Sequence, residues 1–402
     1  MRDFKSLRAR ASGWVLDNLA NFDPLIWTEK KAAYTRRKAF AELAIYAYIE
    51  GDGLAPEIGD FITRIANHPD YHSLLRRNPR QLLLYSAPIG FVIARGAASR
   101  ETFAALDAVL ACPQVMGVER SAHRLMDLWQ FLTLTGRCPE CLDARAILAT
   151  SALAHPPTPF DCTLAEAYAL THDVLFLRNF GVVAPQFARA PDMRMDPDST
   201  ALQIVRFMAE ENSDIVLEFL ICLGLSGQVN GADARLILDW IVARNGDASY
   251  IAGPRFDPDA EMAYSGLDQD WVANYHTTLV GLALLVLTER HGWLDGAAPQ
   301  LLPETAEHAV EWGTALRAFN SYELPRALAV TDVMDRDGGF DRVIRAAIRT
   351  HVRRLTDPQT GLVGHWTDEM MAARTTGVEK QFRADLEVFS DMARAIVAPK
   401  AA

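Results

Sequence analysis

The feature that most constrains this chain is the stretch 161–181, DCTLAEAYALTHDVLFLRNFG. From 164 to 180 apolar side chains point in nearly every direction around a helix, with Leu164, Leu170, Val174, Leu175, Leu177 and Phe180 among them. An amphipathic helix keeps a polar face, whereas one that is apolar all round is buried on all sides or spans a membrane. Glu166, His172, Asp173 and Arg178 are too many charges for a span. The expectation is a central helix of a large helical protein, with His172 and Asp173 in an interior where ionisable groups need partners.

Helical signal dominates the rest of the chain. Helices are expected over 7–21, 29–49, 56–66, 81–95, 100–111, 119–134, 140–152, 198–211, 213–225, 231–244, 268–290, 304–319, 323–334, 340–355 and 376–394. Asn67-His68-Pro69-Asp70 reads as a turn, and the prolines at 156, 157 and 159 break the chain before the central stretch. Almost nothing alternates with a period of two, so strands are few. The basic run Lys30, Lys31, Arg36, Arg37 and Lys38 could grip an anion, but a solvated helix face is the plainer reading.

Amphipathic helices alternate with nearly all-apolar ones in pairs of roughly 45–55 residues, the size of a helical hairpin. The fold class is therefore all-α. An (α/α) barrel or toroid of helical hairpins suits the all-apolar helices better than an open solenoid. No composition shift divides the chain, which reads as one domain over 1–402, with 1–54 as a candidate N-terminal helical appendage.

Half of the 402 residues are hydrophobic, enough for a sizeable core. A net charge of −11 argues against nucleic acid or an anionic membrane surface as the main partner. No apolar leader follows the charged first residues, and five cysteines make a disulfide framework implausible, so the expectation is a soluble cytoplasmic protein.

Four places could carry chemistry. In Thr171-His172-Asp173 the two ionisable groups point about 100° apart, so they serve one site only if it lies between their faces. The bland reading is a core histidine bonded to a carbonyl and an aspartate paired with Arg178. In Asn274-Tyr275-His276-Thr277-Thr278 a polar run opens into Leu279-Val280-Gly281-Leu282, which suggests a polar pocket at one end of a buried helix. The bland reading places those groups near the surface at a helix start. His365 and Trp366 share a glycine-bearing loop of binding-site composition, or of an exposed loop with an anchor tryptophan. The acid-rich loop 245–270 could hold a cation or close over a mouth, though its spacing fits no calcium loop.

No nucleotide-binding glycine motif, metalloprotease helix or serine-hydrolase elbow is present. Cys138-Pro139-Glu140-Cys141 lacks a second pair, and its place at a helix start allows a lowered thiol pKa without showing one.

Trp14-Val15-Leu16-Asp17-Asn18-Leu19 with Phe22-Asp23-Pro24, the phrase 171–177 and Tyr275-His276-Thr277-Thr278-Leu279-Val280-Gly281-Leu282 together resemble an uncharacterised bacterial domain-of-unknown-function family, sometimes found near natural-product genes. The resemblance implies a helical barrel and no established activity. The chain is also generically similar to (α/α) toroids such as lanthionine cyclases, terpene cyclases and sugar epimerases. It lacks the zinc ligands of the first and the aspartate motifs of the second.

Two functional readings remain. In the enzyme reading His172, Asp173, His276 and Tyr275 do the chemistry, while Asn274, Thr277, Trp366 and Glu166 hold a small-molecule or peptide substrate. His172, His276 and His365 could then ligate a divalent transition metal, Zn²⁺, Fe²⁺ or Cu²⁺, for natural-product or peptide tailoring. In the binding reading the same residues are satisfied structurally, and the protein is a helical scaffold for a biosynthetic partner. His172→Ala and His276→Ala are expected to fold near normally and to lose activity or metal together. Imidazoles more than roughly 12 Å apart could not share a metal, because ligating nitrogens sit about 2.0–2.1 Å from zinc.

Overall fold

The structure, a computed structural model, describes residues 2–26, 30–157, 159, 162–254 and 267–320. The expected helices over 323–334, 340–355 and 376–394, the residues His365 and Trp366, and the acidic side chains Asp257, Asp259 and Glu261 lie outside them. Among the described residues the chain is all-α, with one isolated bridge between Asn230 and Ala297 and no strand. The helices are α1 (Arg2–Asp17), α2 (Lys30–Glu50), α3 (Pro56–Ala66), α4 (Pro69–Arg77), α5 (Leu83–Ala94), α6 (Arg100–Leu110), α7 (Pro113–Met116), α8 (Ala122–Leu134), α9 (Ala144–Leu148), α10 (Leu164–Leu177), α11 (Pro197–Ala209), α12 (Ser213–Leu225), α13 (Gly231–Asn245), α14 (Gln269–His291) and α15 (Ala306–Asn320).

Contacts group the chain into two compact units. Of the described residues, one holds those in 2–156, 163–195 and 211–300, and the other those in 157–162, 196–210 and 301–320. In the second, α11 packs on α15, where Gly313 lies so close to the Val205 carbonyl that a Cβ would meet it at 1.9 Å. No shift in composition marks these boundaries, so 1–402 reads as one domain from sequence.

In the first unit α2 packs on α5, α5 on α8, α8 on α10, α10 on α12, α12 on α14, and α14 on α2. Each of these six helices therefore has two neighbours among the six. In this unit Phe40, Leu43 and Ala47 on α2 are fully buried, and α1 packs on α13 and α14. Arg8 on α1 ties the unit together by pairing with Glu50 at 2.5 Å and with Glu289. α14 is long and apolar enough to cross a membrane by length and composition, and 78% of that stretch is buried against other helices.

Two local readings change. Residues 69–77 form α4, because His68 caps the helix through its ring and Pro69 takes the first position, where a missing N–H costs nothing. The basic run on α2 is only partly solvated. Arg36 is buried, with its guanidinium donating to the Ala20 and Asn21 carbonyls at 3.1 and 2.8 Å, and Arg37 donates to the Tyr85 hydroxyl.

α10 is apolar all round for a different reason than enclosure. Leu164 at its start is exposed, and beyond the first turn Leu170, Val174 and Leu177 pack inward. Leu175 and Phe176 instead line a cavity of about 530 Å³. The helix buried most completely is α12, where every residue from Ser213 to Leu223 is buried.

Candidate functional site

The cavity is lined from all six helices. Along five of them the polar lining residue precedes the apolar ones in the chain: Lys38 and Glu42 before Ile45 and Ile49, His123 and Asp127 before Phe131 and Leu134, Tyr168 and His172 before Phe176, Glu218 before Ile221, and His276 before Ala283 and Leu287. Ion pairs that link Lys38, Glu42, His276, Glu218 and His172 gather these groups at one end of the cavity, and the other end is mainly apolar.

His276 is the hub of the polar end. Its Nδ1 lies 3.0 Å from Glu42 Oε2, and its Nε2 lies 3.2 Å from Asp214 Oδ1 and 3.9 Å from Glu218 Oε1. Asp214 and Glu218 are four residues apart, so α12 presents both on one face. α10 holds both from behind: the Tyr168 hydroxyl donates to Asp214 Oδ2, and Thr171 Oγ1 donates to Glu218 Oε2 at 2.5 Å. That leaves Asp214 Oδ1 and Glu218 Oε1 facing the imidazole. His172 Nε2 reaches the same Glu218 Oε1 at 3.8 Å, so one carboxylate oxygen joins the two histidines and keeps them well inside the 12 Å limit.

Burial opposes charge on His276, Glu42, Asp214 and Lys38, and their mutual attraction outweighs it. Burial alone would lower the His276 pKa, but Asp214 and Glu42 raise it well above the usual value. Burial alone would raise the Glu42 carboxyl, but His276 and Lys38 hold it at about 2. The same opposition leaves Asp214 lowered, with His276 and the Tyr168 bond overcoming burial. Glu42, 3.4 Å away, raises the Lys38 ammonium. Beside the cluster, burial and the neighbouring Arg124 and His172 lower His123 to about 4, while burial lifts Asp127 to about 6.

Several expected site residues belong elsewhere. Asp173 is fully buried away from the cavity, where Oδ2 accepts the Leu153 N–H at 3.3 Å; it is no partner of Arg178, which pairs with Asp192. Tyr275 stacks on Trp271 with centroids 4.7 Å apart and meets Phe22 edge-on, so it packs the core behind the hub. Asn274 accepts the Gly253 N–H and donates to the Asp270 carbonyl, and Thr278 binds the backbone of Ile251. Thr277 is buried beneath Gly253. The polar run on α14 thus fastens residues 251–253, and only His276 faces the cavity. Glu166 accepts from the Thr163 N–H and hydroxyl at 2.7 Å each in a capping box, so it closes the start of α10. Burial pushes the Cys138 thiol up, which removes the case for an activated cysteine.

Sequence reasoning missed Glu42, Asp214 and Glu218. The signal for the last two was an aspartate and a glutamate at i and i+4 in an otherwise apolar helix, SDIVLEFLICLGL.

The apolar end closes on a backbone turn. Asn179, Phe180 and Gly181 have φ of 48°, 54° and 78°, three successive left-handed residues. Asparagine and glycine adopt that region readily, whereas phenylalanine does so at a cost. Asn179 secures the turn by donating to the Tyr48 hydroxyl at 2.8 Å and the Val182 carbonyl at 2.9 Å and accepting from Gln130 at 2.8 Å.

A family model described as a domain of unknown function, DUF6895, matches residues 8–286, and the chain belongs to that family. No curated protein and no solved structure matches it. The matched span includes α2, α5, α8, α10 and α12 whole and α14 as far as residue 286.

Proposed function

We propose that this protein is an enzyme whose active site is the polar end of the cavity, inside an (α/α) toroid with α2, α5, α8, α10, α12 and α14 as its inner ring. The toroid reading rests on the order of helix contacts, each inner helix touching the one before and the one after. In the same reading, Asp214, Glu218 and His276 hold a divalent transition metal. The observation that carries this is the convergence of Asp214, Glu218 and His276, whose ligand atoms lie within 4.8 Å of one another. Each is oriented by a second group: Tyr168 behind Asp214, Thr171 behind Glu218 and Glu42 behind His276. Such outer partners are what metal ligands require, a carboxylate on the far nitrogen of a ligating imidazole above all. Two carboxylates and one imidazole suit Zn²⁺ or Fe²⁺ better than copper. A metal held there supplies Lewis-acid activation of a substrate oxygen or of a bound water.

A second reading keeps the same site without metal. It is favoured by the carboxylates at both ring nitrogens of His276, which stabilise an imidazolium able to act as a general acid. Metal uptake must displace the proton on Nε2, so the two readings differ in a measurable way. Protein purified without a histidine tag and titrated with Zn²⁺ by calorimetry in two buffers of different ionisation heat should bind one equivalent and release a proton. Asp214→Asn should lose at least tenfold in affinity. No saturable binding of Zn²⁺ or Fe²⁺ would sink the metal reading and leave the acid–base one. If an imidazolium were also absent by NMR at neutral pH, the non-catalytic scaffold reading would lead.

A further inference from the structure

We infer that the cavity takes a molecule with a hydrocarbon body and a single polar group at one end, and that it excludes sugars and peptides. The inference rests on the cavity being the active site and adds the class of its occupant.

The argument comes from what the apolar end offers a ligand. Beyond Glu42, Asp127 and His276 the walls are Ile45, Ile49, Phe91, Phe131, Phe176 and Leu287, with Phe180 at the turn. Four polar side chains do line this part, and all have protein partners. Ser86 donates to the Leu83 carbonyl at 2.9 Å, and Tyr46 donates to Glu50 at 3.0 Å. Tyr48 accepts from Asn179, and Gln130 donates to the Asn179 side chain. Tyr48 keeps its O–H and Gln130 its amide oxygen, so a first hydroxyl or amide brought here finds a partner and further ones leave water at about 1–3 kcal/mol for each unsatisfied group. A sugar would bring several such groups and a dipeptide at least two. A hydrocarbon brings none and gains about 25 cal/mol for each Å² of apolar surface removed from water. The volume of about 530 Å³ falls within the range of small-molecule sites. At the other end Glu42, Asp127, His172, Glu218 and His276 gather the charged lining beside the hub, and a polar group of the ligand is met there. The polarity of the walls thus fixes both the class of the ligand and its direction, polar group toward His276.

The test uses the full-length protein and N-phenyl-1-naphthylamine, an apolar fluorophore with one N–H. Saturable binding with enhanced emission is expected, with displacement by 1-decanol and none by glucose or dialanine at a hundredfold higher concentration. Ala87, half-buried on the cavity wall, permits a filling variant, and Ala87→Phe should weaken the fluorophore at least tenfold. Should that variant melt more than a few degrees below wild type, Ala283→Leu on α14, which also lines the cavity, replaces it. Displacement by glucose or dialanine, absence of saturable binding, or unchanged binding in a folded filling variant would overturn the inference. Zn²⁺ binding separates its failure from that of the functional reading: a protein that binds zinc but not the fluorophore refutes the occupant alone, and the reverse refutes the metal alone.

Discussion

Asp173 and Asp214 are both shut away from water, with 0% and 1% of their surface exposed, yet their carboxyls move in opposite directions. Burial lifts Asp173 to about 6, and the Ser151 hydroxyl and the Leu153 N–H only partly offset it. Burial acts on Asp214 as well, but His276 and Tyr168 overcome it and hold its carboxyl below the usual range. The difference lies in what faces each oxygen. Dipoles surround Asp173, whereas an imidazole and a hydroxyl from two other helices meet at Asp214. A buried acid marks a site when other elements of the fold bring charge to it, and marks only packing when they do not.

The strongest way to break this comparison is to remove the hub. His276→Leu leaves Asp214 as a buried carboxylate without its imidazolium and Glu42 with Lys38 alone, and removing one partner of a buried pair costs about 3–5 kcal/mol. Chemical denaturation at pH 7 should show that loss, accompanied by loss of Zn²⁺ binding. His172→Ala should stay within about 1 kcal/mol of wild type, because its side chain is a quarter exposed and meets Glu218 only at 3.8 Å. The two histidines, expected from sequence to behave alike, thus part company in stability.

The next largest effect isolates Asp173. Its folded pKa of about 6 stands above the value of 3.8 for a free aspartate, so the folded state binds the extra proton. Stability from the protonated form is complete below pH 4 and is lost as pH rises through about 6. Asp173→Asn keeps the neutral form and should gain up to about 3 kcal/mol over wild type at pH 7, with little difference at pH 4. Asp127 has the same direction of shift and acts in both proteins, so the measurement is the difference between their denaturation curves at the two pH values. A constant difference would show that Asp173 carries no such shift.

The smallest effect concerns an acid outside both regions. Glu166→Ala removes only a helix cap and should cost about 1 kcal/mol while Zn²⁺ affinity stays unchanged. A tenfold loss of zinc affinity would return Glu166 to the site.

The helices were legible in the sequence because apolar spacing and caps are local. His172 and His276 stood out because a histidine inside an apolar helix has few bland explanations. Asp214 and Glu218 were passed over because an i, i+4 acid pair is ordinary on a solvated face, although the apolar residues all round them in α12 mark that face as buried. Asn274, Tyr275 and Thr277 misled for the reverse reason: their partners, Gly253, Trp271 and the backbone around Ile251, are remote or on another turn. The shape of the cavity was hidden altogether, because an apolar side chain reads the same whether it meets a neighbour or an empty space.

The left-handed turn at Asn179, Phe180 and Gly181 has a consequence of scale. From His172 to the end of α10 at Leu177 is five residues, or roughly 7.5 Å along the helix, and the turn lies just beyond it. Asn179 is tied to three partners, so Phe180 cannot retreat without breaking them. Under the proposed function such a stop makes the cavity a ruler, one that sorts molecules by length, and shortening Phe180 would reset its zero.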